Sequence, residues 1–375
     1  MLKDLLAFVK RERFYTFLFL VVSLLYVYFG LASQKEMRLR GTEEKHSVAL
    51  EKFREAEKRM YSDIQSAGSF EEFLKNRPVL KIAFQLFSLL AVGAFGCGVV
   101  LDFCLLFSPR WRRSLAFTGP YGLQTAPPRT ASWEEWKLSM LFKVVVLFMS
   151  ASLLLSLFLT FVHHVMLPES SDNFFLLLHA TIADILCLIF LGIVIHGAGG
   201  RWKDLGLRIP RTGMLREMAV GLGGYLAALP FFAAVLIFLV AFAHFFHYEP
   251  PPHKLVEVFL EEEERSPALI FYSIFLAAAA GPFFEEIFFR GFCYPIFKKR
   301  WGMCWALLLS SAFFALIHES TFAFWPIFVL GMALTYLYEK RGSLIAPVTL
   351  HIVHNSIFIA YFFLAKQVVM KEGGG

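Results

Sequence analysis

Long apolar runs alternate along the 375-residue chain with short stretches that carry charge, proline or glycine. The runs lie at about 14–33, 80–107, 144–166, 174–198, 218–246, 268–297, 303–319, 324–339 and 346–365. Most match the roughly 20 residues that a helix needs to cross a bilayer. They lack the two-residue alternation of barrel strands, and a bilayer supplies no water to unpaired backbone groups, so each run is predicted to be helical. The first run follows Lys3, Lys10, Arg11 and Arg13, is long for a signal sequence and lacks a small-x-small cleavage site, so it is predicted to be retained. The pattern predicts an all-α polytopic membrane protein with eight or nine spans.

One stretch, 34–79, breaks the pattern. Its mixed-charge segment from Glu43 to Arg59 places Val48, Leu50, Phe53 and Met60 on one weakly apolar helical stripe, which predicts a small extramembrane helix in a solvated connector. Composition agrees with lipid as the solvent: 57% of residues are hydrophobic, 44 are Phe and mean hydropathy is +0.59. The net charge of +6 comes from Lys and Arg clusters beside the apolar runs, at 3–13, 110–113, 201–216, 298–300 and 340–341. These read as topology signals rather than a nucleic-acid surface. A cytoplasmic N-terminus satisfies all of them, and the acidic run Glu261 to Glu264 then lies outside. Cys97, Cys104, Cys187, Cys293 and Cys304 show no CxxC spacing and read as small hydrophobes. The charged turn at 201–208 suggests an accessory membrane region over 1–208 and a functional core over 209–375.

An ionised side chain inside a bilayer costs several kcal/mol or more, so an acidic pair within an apolar run needs a reason. Glu285 and Glu286 form such a pair, and Arg290 follows Glu286 by one helical turn on the same face. A Glu286–Arg290 ion pair would neutralise both and leave Glu285, turned by about 100°, as the candidate general base. Two further motifs follow. FALIH ends on His318, one turn after Phe314, and HIVHN places His351 and Asn355 on one face, with His354 as a neighbour. A Glu and a His could deprotonate water, while a His and an Asn could donate to an oxyanion. No GxSxG sequence and no Cys placed with the His residues offers a nucleophile instead. Glu285, His318 and His351 could also ligate a catalytic zinc, although HExxH spacing is absent, and no other cofactor is expected. His163, His164, His179 and His196 read as helix-packing donors, and Asp184 as an intramembrane acid that could pair with His179.

The three motifs resemble EExxxR, FxxxH and HxxxN of the CAAX protease and bacteriocin-processing family, also called type II CAAX prenyl endopeptidases or the abortive-infection family. Gly281-Pro282 before the acidic pair, Arg290-Gly291 after it and GMALTYLYEKRGSLIAPVTLH before the last motif extend the likeness over about 200–362. The resemblance implies a helical core around a polar cavity and a multi-pass protein of the cell membrane. It also implies cleavage of a membrane-tethered protein or peptide, such as a CAAX-like tail, a leader or a sorting-signal segment. Glu285 and His318 would activate water, His351 and Asn355 would form the oxyanion hole, and Glu286 and Arg290 would support them. A scaffold, immunity or transport protein with the same residues in a buried polar network is the non-enzymatic alternative.

Overall fold

The computed structural model of the chain describes residues 8–39, 48–75, 77–108, 136–211, 213–248, 254–263, 265–318, 320 and 322–372. The basic cluster at 110–113, part of the one at 3–13, residues 40–47 of the charged stretch and Glu264 lie outside the described residues. Every element among the described residues is helical. In chain order they are α1 (Arg13–Leu39), α2 (Val48–Ser66), α3 (Phe70–Lys75), α4 (Pro78–Phe107), α5 (Leu138–Phe161), α6 (Asp172–Gly197) and α7 (Met214–Phe246). Then come α8 (Lys254–Glu262), α9 (Pro267–Phe275), α10 (Gly281–Glu286), α11 (Tyr294–Leu316), α12 (Phe324–Arg341) and α13 (Ile345–Glu372). A 3-10 turn covers Trp202–Leu205, and π-helical turns cover Val162–Met166, Leu276–Ala280 and Ile287–Cys293.

Among the described residues, seven stretches are long and apolar enough to cross a membrane: Arg13–Ala32, Pro78–Phe107, Leu138–Met166, Asp172–Gly197, Met214–Phe246, Pro267–Leu316 and Ile345–Met370. Two of the expected spans, 268–297 and 303–319, merge in the run Pro267–Leu316, which Gly302 breaks with a φ of +77°. The expected span at 324–339 is α12, whose 18 residues end on Glu339, Lys340 and Arg341 and are too polar to stand among the seven. Leu89, Leu90, Leu154, Ile237 and Phe245 point outward, as side chains facing lipid do. The protein is an all-α polytopic membrane protein.

By its internal contacts the chain divides into two units, each discontinuous in sequence. The first holds 1–44, 126–208 and 283–310, and the second 45–125, 209–282 and 311–375. In the first, Lys143 Nζ of α5 lies 3.0 Å from Glu12 Oε2, and the Tyr26 hydroxyl of α1 donates to the Met149 carbonyl at 3.3 Å. His179 of α6 turns its Nε2 to the Ser152 carbonyl at 3.2 Å, so the expected pairing with Asp184 does not form. His163 and His164 also serve as packing groups, through the carbonyls of Ser170 and Thr160.

In the second unit helices approach closely at small residues. Pro230, inside α7, has no N–H to offer the Leu226 carbonyl one turn back, and Gly98 of α4 packs against that oxygen. A Cβ on Gly221 of α7 would lie 2.5 Å from the Ala346 carbonyl oxygen of α13, and one on Gly224 would lie 2.8 Å from Leu337 of α12. Two of these helices, α7 and α12, are also tied by charge. Arg341, last in α12, donates from Nε to Glu217 Oε2 of α7 at 2.8 Å and from Nη2 to Oε1, with both side chains fully buried. Two parallel hydrogen bonds satisfy both ions where water cannot, so removing one partner would strand the other.

The connector helix α2 is not the solvated element expected of it. Its Leu50 is buried with Phe259 and Leu260 of α8 and Ile359 and Phe362 of α13, while Phe53, Ala277 and Ala278 pack around them. Val48, expected on the apolar stripe, is exposed, and Ala56 is buried in its place. α2 therefore docks one turn beyond Asn355, on the helix that carries the third motif.

Because Gly221 sets the approach of α7 to α13, Gly221→Val is expected to lower stability by about 2 kcal/mol through overpacking. Thermal unfolding in detergent would show it, and an unchanged unfolding temperature would refute the close-packing account.

Candidate active site

The acidic motif sits on a helical run built from irregular turns. The Ser266 hydroxyl accepts from the Leu269 N–H, Pro267 occupies the first turn where its missing N–H costs nothing, and α9 runs to Phe275. The next turn widens: the Gly281 N–H reaches back five residues to the Leu276 carbonyl. In that register the Ala277 carbonyl would look to residue 282, which is proline and has no N–H. The Asn355 side chain fills the gap, its Nδ2 donating to the Ala277 oxygen at 2.8 Å. The Gly-Pro before the acidic pair and the Asn of the third motif are thus one arrangement, made within the second unit. Asn355 keeps a second amide N–H for another acceptor.

Past Pro282 the run enters the first unit. Glu286 and Arg290 are both fully buried, and Arg290 Nη1 donates to Glu286 Oε1 at 2.7 Å. This is the i,i+4 pair expected from the spacing. The second π turn, Ile287–Cys293, follows at once, and Gly291 within it lets the Leu205 carbonyl approach: a Cβ there would lie 2.9 Å from that oxygen. Trp136 meets Phe292 edge-on at 5.6 Å. Glu285 is partly buried, and it is less isolated than its turn away from Glu286 implied: its charge reaches both Arg290 and Asp184 of α6. Asp184 was the acid that sequence could not connect to the motifs, since α6 lies about a hundred residues upstream.

The other two motifs fall in the second unit, centred on one ring. Phe314, fully buried near the end of α11, meets His318 edge-on at 4.9 Å and His351 at 5.7 Å. His318 lies in the turn after α11, and its Nδ1 is 2.8 Å from the Phe314 carbonyl. A carbonyl only accepts, so Nδ1 carries the hydrogen and Nε2 presents a lone pair. The FxxxH spacing does two things here. It lets the histidine satisfy a helix-end carbonyl of its own motif, and it orients the ring as a base. His351 is buried on α13. His354, three residues on, faces away from this group toward Phe232 and Tyr225 of α7, with ring centroids at 5.2 and 6.0 Å. It is a packing residue.

Sequence reasoning singled out Asp184 without tying it to the motifs, and it missed the Glu217–Arg341 pair. Glu217 does stand out as an acid beside a basic cluster at the start of an apolar run, but its partner is 124 positions away. The structure places Glu285, Glu286 and Arg290 in the first unit and His318, His351 and Asn355 in the second.

Loss of either member of the Glu286–Arg290 pair is expected to be severe. Arg290→Met should destabilise by about 3–5 kcal/mol by stranding a buried carboxylate, whereas Glu286→Gln with Arg290→Met should recover part of that loss. Denaturation of the single and double variants measures the coupling. Additive losses would contradict a neutralising pair.

Comparison with protein families matches the type II CAAX prenyl endopeptidase Rce1-like family over residues 267–357. Comparisons with curated proteins and with solved structures returned no match. The matched segment holds the acidic pair, Phe314 with His318, and His351 with Asn355. Residues 267–357 are therefore similar to the CAAX protease family.

Proposed function

We propose that the protein is an intramembrane endopeptidase that hydrolyses a peptide bond in a membrane-tethered protein or peptide. The observation that carries this reading is the acidic motif: in a family-matched, π-distorted helix, Glu286 is neutralised by Arg290 while Glu285 remains beside it as a second acid. A second acid at this depth, beside one that an arginine already holds, is a candidate for chemistry.

In this reading Glu285 takes a proton from the attacking water, assisted by His318 through Nε2. His351 and the second N–H of Asn355 stabilise the oxyanion on the former carbonyl oxygen. The proton then passes to the leaving amine as the C–N bond breaks. The substrate is brought by its tether, which makes the encounter two-dimensional and favours a lipidated CAAX-like tail, a leader or a sorting-signal segment. Residues 209–375 form the protease core and 1–208 the accessory region, and the N-terminus lies in the cytoplasm, as the basic clusters favour. Water activation proceeds through side chains without zinc.

The test is cleavage of an internally quenched farnesylated CAAX peptide by purified protein in proteoliposomes. His318→Ala is expected to lower turnover by at least about 100-fold, the scale of a lost general base, with insertion unchanged. Normal turnover by this variant would refute the role of His318. Chelation should leave wild-type turnover intact. Stoichiometric metal that is lost together with activity would replace the glutamate mechanism with a zinc one.

A further inference from the structure

The face of α13 that carries the third motif continues past it. His351, Asn355, Ile359, Phe362 and Lys366 recur at i, i+4, i+8, i+11 and i+15 and so form one stripe. Beyond Asn355 this stripe is gripped by other elements. Ile359 and Phe362 are buried, and the Lys366 ammonium pairs with the Glu263 carboxylate just after α8. Phe259 of α8 meets Phe362 at 5.5 Å and Phe363 at 4.9 Å between ring centroids.

Helix α2 completes the same cluster. Its Leu50 is buried with Phe259, Leu260, Ile359 and Phe362, and Phe53, three residues on and so on the same face of α2, packs against the group. Ile270 and Ile274 of α9 pack there too, as do Ala277 and Ala278 of the first π turn. The turn that offers its Ala277 carbonyl to Asn355, and the helix that carries Asn355, are therefore packed into one apolar cluster that α2 helps to fill. All of these residues belong to the second unit.

That cluster bears on how Asn355 is aimed. One N–H of its side-chain amide is committed to the Ala277 oxygen at 2.8 Å. The amide is planar, so the direction of the second N–H follows from the first bond and from the rotation of α13 about its axis. A shift of about 1 Å in a group that must meet a transition state can cost about 100-fold in rate. Packing on Ile359 and Phe362, one and two turns along the stripe, opposes such a shift, and packing on Ala277 holds the other end of the bond.

Resting on the peptidase reading above, we propose that Leu50 and Phe53 of α2 are positioning residues. Packed into the cluster that joins α13 to the Ala277 turn, they fix the angle at which Asn355 bridges to Ala277 and so aim its second amide N–H at the oxyanion. The charged insertion between the first two long apolar helices thereby serves the core from a distance in sequence.

The test is steady-state cleavage of the quenched farnesylated peptide in proteoliposomes by Leu50→Ala and Phe53→Ala. Each is expected to lower kcat at least about fivefold with KM within about twofold of wild type, because the aim of an oxyanion donor matters in the transition state and not in substrate binding. Leu50→Met, which nearly keeps the volume, should hold turnover within about twofold of wild type. In an Asn355→Ala background, Leu50→Ala should cost less than about twofold further. Phe53 is only partly buried, so its variant carries the same tests should Leu50→Ala fail to fold. Equal losses with and without Asn355, a raised KM with kcat unchanged, or wild-type kcat in both alanine variants would overturn the proposal. Side-chain amide NMR of protein made with isotope-labelled asparagine tests it without turnover. The chain has three asparagines, Asn76, Asn173 and Asn355, so the Asn355 signals are assigned by their loss in Asn355→Ala. Leu50→Ala should shift or broaden the Asn355 signals and leave those of Asn173 in place, and unmoved Asn355 signals would overturn the proposal. Wild-type protein that cleaves nothing, while its Asn355 signals respond to Leu50→Ala, would sink the peptidase reading alone.

Discussion

The solvent of this protein will not hold a charge, and that constraint organises what its polar residues do. A bare ion in hydrocarbon costs several kcal/mol or more, so each intramembrane acid or base needs a partner, a neutral form or a task. Glu217 and Arg341 are fully buried and answer with two parallel hydrogen bonds that tie α7 to α12. Glu286 and Arg290, equally buried, answer within one helical turn. The chemistry is assigned to Glu285, which stands next to the second pair.

The backbone is subject to the same rule. Pro282 and the widened turn before it would leave the Ala277 carbonyl without a donor in lipid, and Asn355 supplies one. Phe314 shows how one apolar residue can serve a polar site: its ring is packed by two histidines, and its carbonyl fixes the tautomer of one of them. Residues that a motif lists as separate letters are here coupled physically, Asn355 to Gly281-Pro282 and His318 to Phe314.

What was legible in the sequence followed from local rules. The spans could be read because hydropathy is summed over a window, and the Glu286–Arg290 pair because i,i+4 residues share a helical face. Helix breaks and long-range pairs were harder. Gly302 breaks the run Pro267–Leu316 between two of the expected spans, and α12 is set apart from the spans by Glu339, Lys340 and Arg341 at its end rather than by its length. The partner of Glu217 is 124 residues away, and no local periodicity encodes that contact. The docking of α2 was missed because its mixed charge dominates the pattern, while burial rests on a few residues such as Leu50 and Ala56.

The central claim is a division of labour between two adjacent acids, with Glu286 held by Arg290 and Glu285 acting on water. The most direct measurement is the turnover of Glu285→Gln on a farnesylated CAAX peptide, taken beside its thermal unfolding in the same detergent. The account predicts an unfolding temperature within about 3 °C of wild type, because the Glu286–Arg290 pair is left intact, and turnover reduced at least about 100-fold. A folded Glu285→Gln protein with wild-type turnover would contradict it.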